Sequence, residues 1–402
     1  MPGTSSALRI LIAFAVLAGC GGGGGAEAGD AGSDADTDAD GDTDGDADSD
    51  GDGDTDSDGD GDGDTDVDAG SDAGADAGPL PDMPNPSFLV GYDEGWFNTG
   101  YGTDLTTSFD LDVVKGVLDG IVAGGGHVVR LWLFEFREGI VIGDTTPQTQ
   151  GVDPALLDNL EKVLDAARAR GLWVYLTALE GNEIEAIADI DEALKDYYWN
   201  LLNNDYGEGD AFDDLVLEPL LERLDDHQDV IYGLDLMNEI EAPRSAGMWT
   251  DPVNGPRGWM QSTAAFVKAH SPWLRVTSTA GWSGAQYDIA GGFFSGLGLD
   301  FYDLHMYSDD GSYDGATAVC DRAALDGVPV ILGEYGQLSE DVIDDTLQYD
   351  VTGAFLYTAN DLCFDAALAW RYDYGPSCWD FVREDGSYRP AVAIVQAYGA
   401  LP

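Results

Sequence analysis

Two glutamates, Glu239 and Glu334, stand at the ends of short apolar runs that are typical of buried strands. Residues 234–239 read Leu-Asp-Leu-Met-Asn-Glu, and residues 330–336 read Val-Ile-Leu-Gly-Glu-Tyr-Gly. Two carboxylates held about 5–5.5 Å apart across a sugar ring are the reacting groups of a retaining glycosidase, one as nucleophile and one as proton shuttle. A single glutamate at a strand end is more often part of a structural ion pair, so the interpretation depends on both occurring together.

These glutamates need a scaffold that brings distant strand ends to one face. From residue 88 onward, apolar runs rich in Val, Ile, Leu and aromatics alternate with segments of helical period, which is the pattern of a parallel sheet with helical crossovers. Eight such runs point to a closed (β/α)8 barrel, whose chemistry lies at the carboxyl ends of its strands. The predicted strands are 88–92, 127–133, 172–178, 230–237, 274–279, 301–305, 328–333 and 366–371. The clearest predicted helix covers residues 154–170.

The motifs around the glutamates resemble those of glycoside hydrolase family 5 and its clan A relatives, especially the β-mannanase and cellulase types. The matching segments follow in order along residues 88–400. They are Val-Val-Arg-Leu-Trp at 128–132, Asn-Glu at 238–239, Asp-Leu-His-Met-Tyr at 303–307, Gly-Glu-Tyr-Gly at 333–336, and Trp370. The resemblance implies retaining hydrolysis of β-linked glycosidic bonds in a polysaccharide, with Glu334 as nucleophile and Glu239 as acid/base.

The resemblance also implies supporting roles. Arg130 would lie beside the nucleophile and keep it ionised, and Tyr307 would hydrogen-bond to it. Asn238 would hold the sugar 2-hydroxyl, His305 would lie near the acid/base, and Trp370 would form a platform beneath the sugar. We accordingly expect a low pKa for Glu334 and a higher one for Glu239. Further tryptophans near strand ends either stack on sugar or only pack, and these are Trp96, Trp132 and Trp282.

The sequence departs from the family pattern at two points. Ile240 follows the Asn-Glu pair where the family usually has Pro, and the third strand ends in Thr-Ala-Leu-Glu at 177–180 where many members have a His nearby. The second departure leaves the sugar open, and the resemblance favours mannan over glucan because mannanase-like members are among those that dispense with that His. The aromatic stretch at 180–205 would either shape the substrate cleft or form a helical lid.

The composition limits the partners. Residues 1–80 hold 22 of the 77 acidic residues and one of the 17 basic ones, which leaves 77 − 22 = 55 acids against 17 − 1 = 16 bases in residues 81–402. So acidic a surface repels phosphate backbones and anionic lipids, and favours a neutral β-glycan over nucleic acid. Four histidines without ligand spacing predict no metal, and no glycine motif predicts a phosphate-bearing cofactor.

The first 85 residues predict export and tethering rather than a fold. An apolar run over residues 10–17 leads to Leu-Ala-Gly-Cys, which resembles a lipoprotein signal. We therefore expect a signal peptide at 1–19, a lipid on Cys20 as the only membrane attachment, and a location in the cell envelope, on the outer membrane or at the cell surface. Residues 20–85 form an Asp/Gly-rich linker, and calcium association with it stays open. The catalytic domain would then span 86–402 as a monomer.

With Cys20 lipidated, three cysteines remain, and we expect a disulfide between Cys363 and Cys378.

Three functions stay open on the sequence alone. The first is an endo-acting hydrolase of mannan or glucan, the second is a non-catalytic carbohydrate-binding surface lipoprotein, and the third is an exo-acting clan A glycosidase on small glycosides. Loss of one carboxylate would have indicated the second, whereas long loops over the cleft would indicate the third.

Overall fold

The computed structural model describes residues 88–97, 104–143, 147–281, 284–307, 314–337, 344–372, 379–383 and 385–400. Cys20, Trp282, Cys378, the signal segment and the linker lie outside the described residues, and the expected domain boundary near residue 85 stays a prediction. Among the described residues, no helix combines the length and apolar character needed to cross a membrane.

Nine strands form one parallel sheet, and all eight predicted runs lie in it. The strands are β1 (Leu89–Asp93), β2 (Val128–Trp132), β5 (Trp173–Glu180), β6 (Ile231–Asn238), β7 (Val276–Thr277), β8 (Thr279–Ala280), β9 (Tyr302–Tyr307), β10 (Val330–Gly336) and β11 (Phe364–Ala369). A separate antiparallel hairpin, β3 (Ile140–Ile142) with β4 (Thr149–Val152), follows β2. The apolar character of the runs follows from burial on both faces of a parallel sheet.

The sheet closes on itself through a single stretch of chain. Strand β7 pairs with β6 at one end of the strand order, and β8 pairs with β9 at the other. Only Ser278 separates β7 from β8, so these two short strands together form the fifth position of an eight-position barrel. The (β/α)8 fold is therefore confirmed, with β6 as its fourth strand and β10 as its seventh.

Helices cover the outside of the barrel. They are α1 (Leu111–Ala123), α2 (Pro154–Arg168), α3 (Gly181–Ile190), α4 (Glu192–Asn203), α5 (Glu208–Phe212), α6 (Glu218–Leu224), α7 (Glu241–Ser245), α8 (Asn254–His270), α9 (Ala285–Gly291), α10 (Asp314–Asp326), α11 (Asp345–Asp361) and α12 (Val392–Gly399). Helix α2 confirms the predicted helix at 154–170. It begins after Asp153, whose carboxylate accepts the Ala155 N–H, with Pro154 in the first turn.

The barrel interior changes from apolar to charged along the strands. One layer contains the rings of Tyr175, Tyr232 and Phe301, which pack edge-on or tilted with centroids 5.8–5.9 Å apart. The Tyr175 hydroxyl donates to Asp303, where the charged layer begins. Because alternate residues of a strand face the same side, Val128 packs with the apolar layer and Arg130 stands two residues closer to the open end of β2. The strands thus deliver charged side chains to the carboxyl end of the barrel.

The disulfide differs from the one expected. Cys363, just before β11, pairs with Cys320 of α10 rather than with Cys378, at a Cα–Cα distance of 5.8 Å. The expectation was wrong because sequence proximity around the eighth strand favoured Cys378. In the barrel, α10 leads into β10, which lies beside β11, so Cys320 comes close to Cys363 at the start of β11.

Loss of this disulfide should destabilise the fold without affecting the chemistry at the other end of the strands. The bond joins residues 43 positions apart, and the entropy of an unfolded loop of that size corresponds to about 2–4 kcal/mol. We expect Cys320→Ser with Cys363→Ser to lower the free energy of unfolding by that amount in urea titrations, with kcat unchanged. An unaltered midpoint of unfolding would contradict a structural role for the bond.

Candidate active site

Arg130 is the only arginine or lysine at the centre of the charged layer within the described residues, and it is fully buried. Its Nη1 donates to Glu334 at 2.6 Å, and its Nη2 donates to Asp235 at 2.9 Å and to the Asn238 side-chain oxygen at 2.8 Å. Its Nε donates to Thr177 Oγ1 at 3.0 Å. The planar guanidinium of Arg130, on β2, therefore fixes residues from three other barrel strands, β5, β6 and β10.

Glu334 lies in β10 with a donor on each carboxylate oxygen. Arg130 bonds Oε1, and the Tyr307 hydroxyl donates to Oε2 at 2.7 Å. The expected neighbours of the proposed nucleophile are thus in place. Gly333 precedes it because a Cβ at that position would lie 2.0 Å from an oxygen of Asp303. Local packing therefore requires glycine beside this glutamate.

Glu239 follows β6 in a left-handed backbone conformation, with φ of 48°. Such a conformation is costly for a residue with a side chain, and it persists where surrounding contacts enforce it. The Glu239 N–H donates to Thr279 Oγ1 at 2.7 Å, and a Cβ on Gly281 would lie 2.1 Å from Glu239 Oε1. The carboxyl group is bonded by His305 Nδ1 at 3.0 Å on Oε1 and by Asn182 Nδ2 at 2.7 Å on Oε2.

The two glutamates share one small space. One carboxylate oxygen each of Glu239 and Glu334 and one ring nitrogen of His305 all lie within 4.8 Å of one another. All three residues are buried. This separation suits direct attack on the anomeric carbon better than insertion of a water molecule. A His with two carboxylates also offers donor types that bind metals. Here, however, Arg130 and Tyr307 take the two oxygens of Glu334, and the guanidinium charge opposes a second cation. That no metal takes part stays a prediction.

Three tryptophans form a cluster that contacts Arg130 through Trp132. Trp370, directly after β11, is half-buried and packs edge-on against Trp132 with ring centroids 5.5 Å apart and against Trp96 at 6.0 Å. Trp132 and Trp96 are themselves buried. Trp370 thus keeps part of its ring surface exposed, whereas the other two tryptophans support it. Trp132 also lies beneath the Arg130 guanidinium, 4.5 Å from ring centroid to Cζ.

Several site residues were not identified from the sequence. Asp93, Asp235 and Thr177 hold Arg130 from three strands, and Glu180 and Asn182 contact the residues around Glu239. Inward-facing polar residues in otherwise apolar strands were the available signal, and Asp235 within Leu-Asp-Leu-Met shows it most clearly. The predicted stretch 180–205 forms α3 and α4, in which Tyr197 and Tyr198 are buried packing residues.

The order of the pKa values of Glu334 and Glu239 is the reverse of the expected one. Burial raises the pKa of Glu334 well above its ordinary range, against the opposing charge of Arg130. For Glu239, burial also raises the pKa, but the hydrogen bonds from His305 and Asn182 outweigh it and the pKa is lowered. The reason is that one cation serves three buried carboxylates, Asp93, Asp235 and Glu334.

His305 completes the link between the two glutamates. Burial lowers the pKa of His305 to about 4, so the ring is neutral at pH 7. Its Nε2 lies 3.4 Å from Arg130 Nη1, which can only donate, so Nε2 accepts and the ring proton is on Nδ1. Nδ1 faces Glu239 at 3.0 Å and Glu334 at 3.4 Å. A neutral ring of this tautomer orients the Glu239 carboxyl without adding charge.

The buried acids should make the protein most stable at mildly acidic pH. Burial raises the pKa of Asp235 to about 6, of Asp303 and Glu180 to about 7, and of Glu241 to about 8. In the unfolded chain these groups titrate near pH 4, so the stability that each contributes is fully present below pH 4 and is lost progressively between pH 4 and its folded-state pKa of about 6–8. Between pH 4 and its folded-state pKa, a group titrating alone lowers the free energy of unfolding by about 1.4 kcal/mol per pH unit.

We expect a higher melting temperature at pH 5 than at pH 8. Asp303→Asn, which cannot ionise, should reduce the slope of stability against pH. Stability that increases from pH 5 to pH 8 would contradict this prediction.

An eight-stranded barrel with two facing carboxylates at the carboxyl ends of its fourth and seventh strands, bridged by His and held by Arg and Tyr, defines a glycoside hydrolase of the retaining type. Residues 112–373, more than half of the chain, match the family model "Cellulase (glycosyl hydrolase family 5)". The chain belongs to glycosyl hydrolase family 5, and the resemblance noted from its motifs is confirmed.

Individual proteins similar to this chain carry mannan-related names. A mannan endo-1,4-β-mannosidase of Mytilus edulis is 22% identical over 327 residues, which cover 70% of this chain and 86% of that protein. The crystal structure of a β-1,4-D-mannanase from Cryptopygus antarcticus aligns with a TM-score of 0.58 and 18% identity, covering 78% and 90% of the two chains. An exo-β-1,4-mannosidase from Opitutaceae bacterium strain TAV5 aligns with a TM-score of 0.57 and 15% identity, covering 78% and 59%.

Proposed function

We propose that this protein hydrolyses internal β-1,4 bonds of a mannan-type polysaccharide with retention of configuration. The observation that carries the proposal is the placement of Glu239 and Glu334, whose carboxylates face one small space within 4.8 Å. The choice of mannan is supported by the name of the Mytilus edulis relative and by the third strand, which ends in Glu180 rather than near a His. The presence of both carboxylates argues against a non-catalytic binding protein.

In the proposed mechanism, Glu334 attacks the anomeric carbon and forms a glycosyl ester while Glu239 gives its proton to the departing oxygen. Arg130 and Tyr307 hold the attacking carboxylate in one orientation, which favours a near-attack geometry. Glu239 then takes a proton from water, which cleaves the ester and releases the sugar with its original configuration. One group thus acts as acid in the first step and as base in the second.

The sugar would bind above Trp370, with Asn238 beside its 2-hydroxyl. Asn238 is held at both ends, because its oxygen accepts from Arg130 and its nitrogen donates to Glu180 at 3.0 Å. Its amide orientation is therefore fixed before the substrate arrives. The stacking surface and the fixed amide together would position the reacting ring between the two glutamates.

The purified protein tests the proposal on mannan, glucomannan, cellulose and xylan. We expect the highest kcat/KM on a mannan, a rapid fall in viscosity, and a first product of the β configuration by proton NMR. A first product of the α configuration would contradict the double-displacement mechanism, and absence of activity on all four glycans would contradict the hydrolase proposal.

Exo-acting cleavage is a second candidate. The helical insertion of α3 and α4 directly after β5 lies at the end of the barrel that carries the site, and such an insertion can close a cleft into a pocket. An exo-acting enzyme would release a single small product from a mannohexaose at every time point, whereas an endo-acting enzyme would release oligosaccharides of several lengths.

A lipid on Cys20, in the cell envelope, is part of the same proposal. The apolar run at 10–17 followed by Leu-Ala-Gly-Cys supports it, as does the acidic linker that would hold the enzyme away from the membrane. Cys20→Ala should abolish incorporation of labelled palmitate and move the activity from the membrane fraction to the soluble fraction. An unchanged distribution would contradict the anchor.

A further inference from the structure

The junction between β5 and α3 contributes to the site through three consecutive residues, Glu180, Gly181 and Asn182. Asn182, in the first turn of α3, donates from its side chain to Glu239 Oε2 at 2.7 Å. Its own N–H donates to Glu180 Oε1 at 2.8 Å. The Asn182 side chain thus reaches the site from a helix, whereas Glu180 is the last residue of β5.

Gly181 makes this close approach possible. A Cβ at this position would lie 2.4 Å from the Asn238 carbonyl oxygen and 2.6 Å from that of Glu239. Any other residue would push the start of α3 away from the end of β6. The spacing of Glu, Gly and Asn therefore brings one amide side chain onto the proposed acid/base.

Glu180 fixes the position of that turn. Its carboxylate accepts the Asn182 N–H, the Asn238 side-chain nitrogen at 3.0 Å and the Trp132 Nε1 at 2.8 Å. A carboxylate with this many donors has little freedom to rotate. Glu180 thus links the first turn of α3 to Asn238, which would contact the sugar, and to Trp132.

We propose that Asn182 is a positioning residue for Glu239, held in place by Glu180, and that it governs the proton transfer to the leaving group. Asn182 donates to one carboxyl oxygen of Glu239, and His305 is hydrogen-bonded to the other. The inference rests on the proposed roles of the glutamates and deepens them, because it assigns a specific residue to control of the acid/base.

The consequence for pH dependence has a definite sign. The hydrogen bond from Asn182 favours the ionised form of Glu239, so removing it raises the pKa of that carboxyl. Because the acid must be protonated to act, the alkaline limb of the pH profile then moves to higher pH. Other charged or titratable groups facing Glu239 are His305, Arg130, Tyr307, Glu334, Glu180 and Glu241, and they remain in the variant.

The experiment compares two substrates with the same sugar and different leaving groups. Phenyl β-mannobioside needs a proton on its leaving oxygen, whereas 2,4-dinitrophenyl β-mannobioside does not. For Asn182→Ala we expect kcat/KM to fall about tenfold to 100-fold on the phenyl compound and to change less than about threefold on the dinitrophenyl compound. The alkaline limb should shift upward on the phenyl compound. Asn200→Ala, on α4, is the matched control and should behave as wild type.

Asn182→Asp is the second variant, since it keeps the shape of the side chain and places a negative charge against Glu239. It should move the alkaline limb further upward than Asn182→Ala. Equal losses on both substrates, or an unchanged pH profile in both variants with an active wild type, would overturn the inference alone. A wild-type protein inactive on both compounds and on the corresponding β-cellobiosides would instead overturn the proposed function.

Discussion

Replacement of Glu334 by Ala is expected to reduce kcat on the glycan by about 10⁵–10⁶-fold, the scale seen when a covalent nucleophile is removed. Without this carboxylate no glycosyl ester forms, and Glu239 alone cannot supply the missing attack. Glu334 is buried and bonded by Arg130 and Tyr307, so no other carboxylate takes its position. Initial rates of reducing-sugar release and a melting curve measure the loss and verify folding.

Reaction of the Glu334→Ala variant with azide tests whether the missing carboxylate is the nucleophile. With 2,4-dinitrophenyl β-mannobioside, azide can enter the space left by the side chain and attack the anomeric carbon from that face, which gives the α-glycosyl azide. Glu334→Gln is the control, because its amide fills the space and should leave the enzyme inactive with or without azide. Formation of the β-glycosyl azide by Glu334→Ala would show that Glu334 is not the nucleophile.

The barrel and its two glutamates could be predicted because both are local features of the sequence. Parallel strands buried on both faces appear as continuous apolar runs, and each glutamate follows such a run directly. Arg130, Asn238, His305 and Tyr307 could be identified for the same reason, since each lies in or at the end of a strand. All of them meet around one point in the structure.

The remaining features depend on distances between elements that the sequence does not contain. Asn182 contacts Glu239 only because Gly181 allows α3 to start against the end of β6. Cys320 forms its disulfide with Cys363 because α10 leads into a strand that neighbours β11. Both contacts join segments that are far apart along the chain.

The pKa order was missed for a different reason. A motif shows which groups are near the nucleophile but not how many acids share the one cation. Asp93, Asp235 and Glu334 all face Arg130, and Asp303 lies close by. Protons must remain somewhere in such a cluster, because separate burial of every charge costs more than the single guanidinium offsets. Only the assembled barrel reveals this charge balance.

The roles of the two glutamates are therefore best separated by Glu239→Ala. We expect kcat on mannan to fall by about 10²–10⁴-fold, because general acid catalysis is lost from the first step and base catalysis from the second. With the dinitrophenyl substrate the first step needs no proton, so the glycosyl ester on Glu334 should form rapidly and accumulate. A burst of dinitrophenolate and a mass increase of one glycosyl unit on the protein measure this.

Azide should restore turnover of this Glu239 variant on the dinitrophenyl substrate and give the β-glycosyl azide, since it attacks the ester from the face where water would attack. The product is thus opposite in configuration to that of Glu334→Ala, and this comparison does not depend on the pKa of either group. Glu241→Gln, two residues further along and also buried, is the control for substitution of a neighbouring carboxyl group and should retain activity on mannan. An α-glycosyl azide from Glu239→Ala, with no burst, would mean that the two carboxylates exchange the roles assigned to them here.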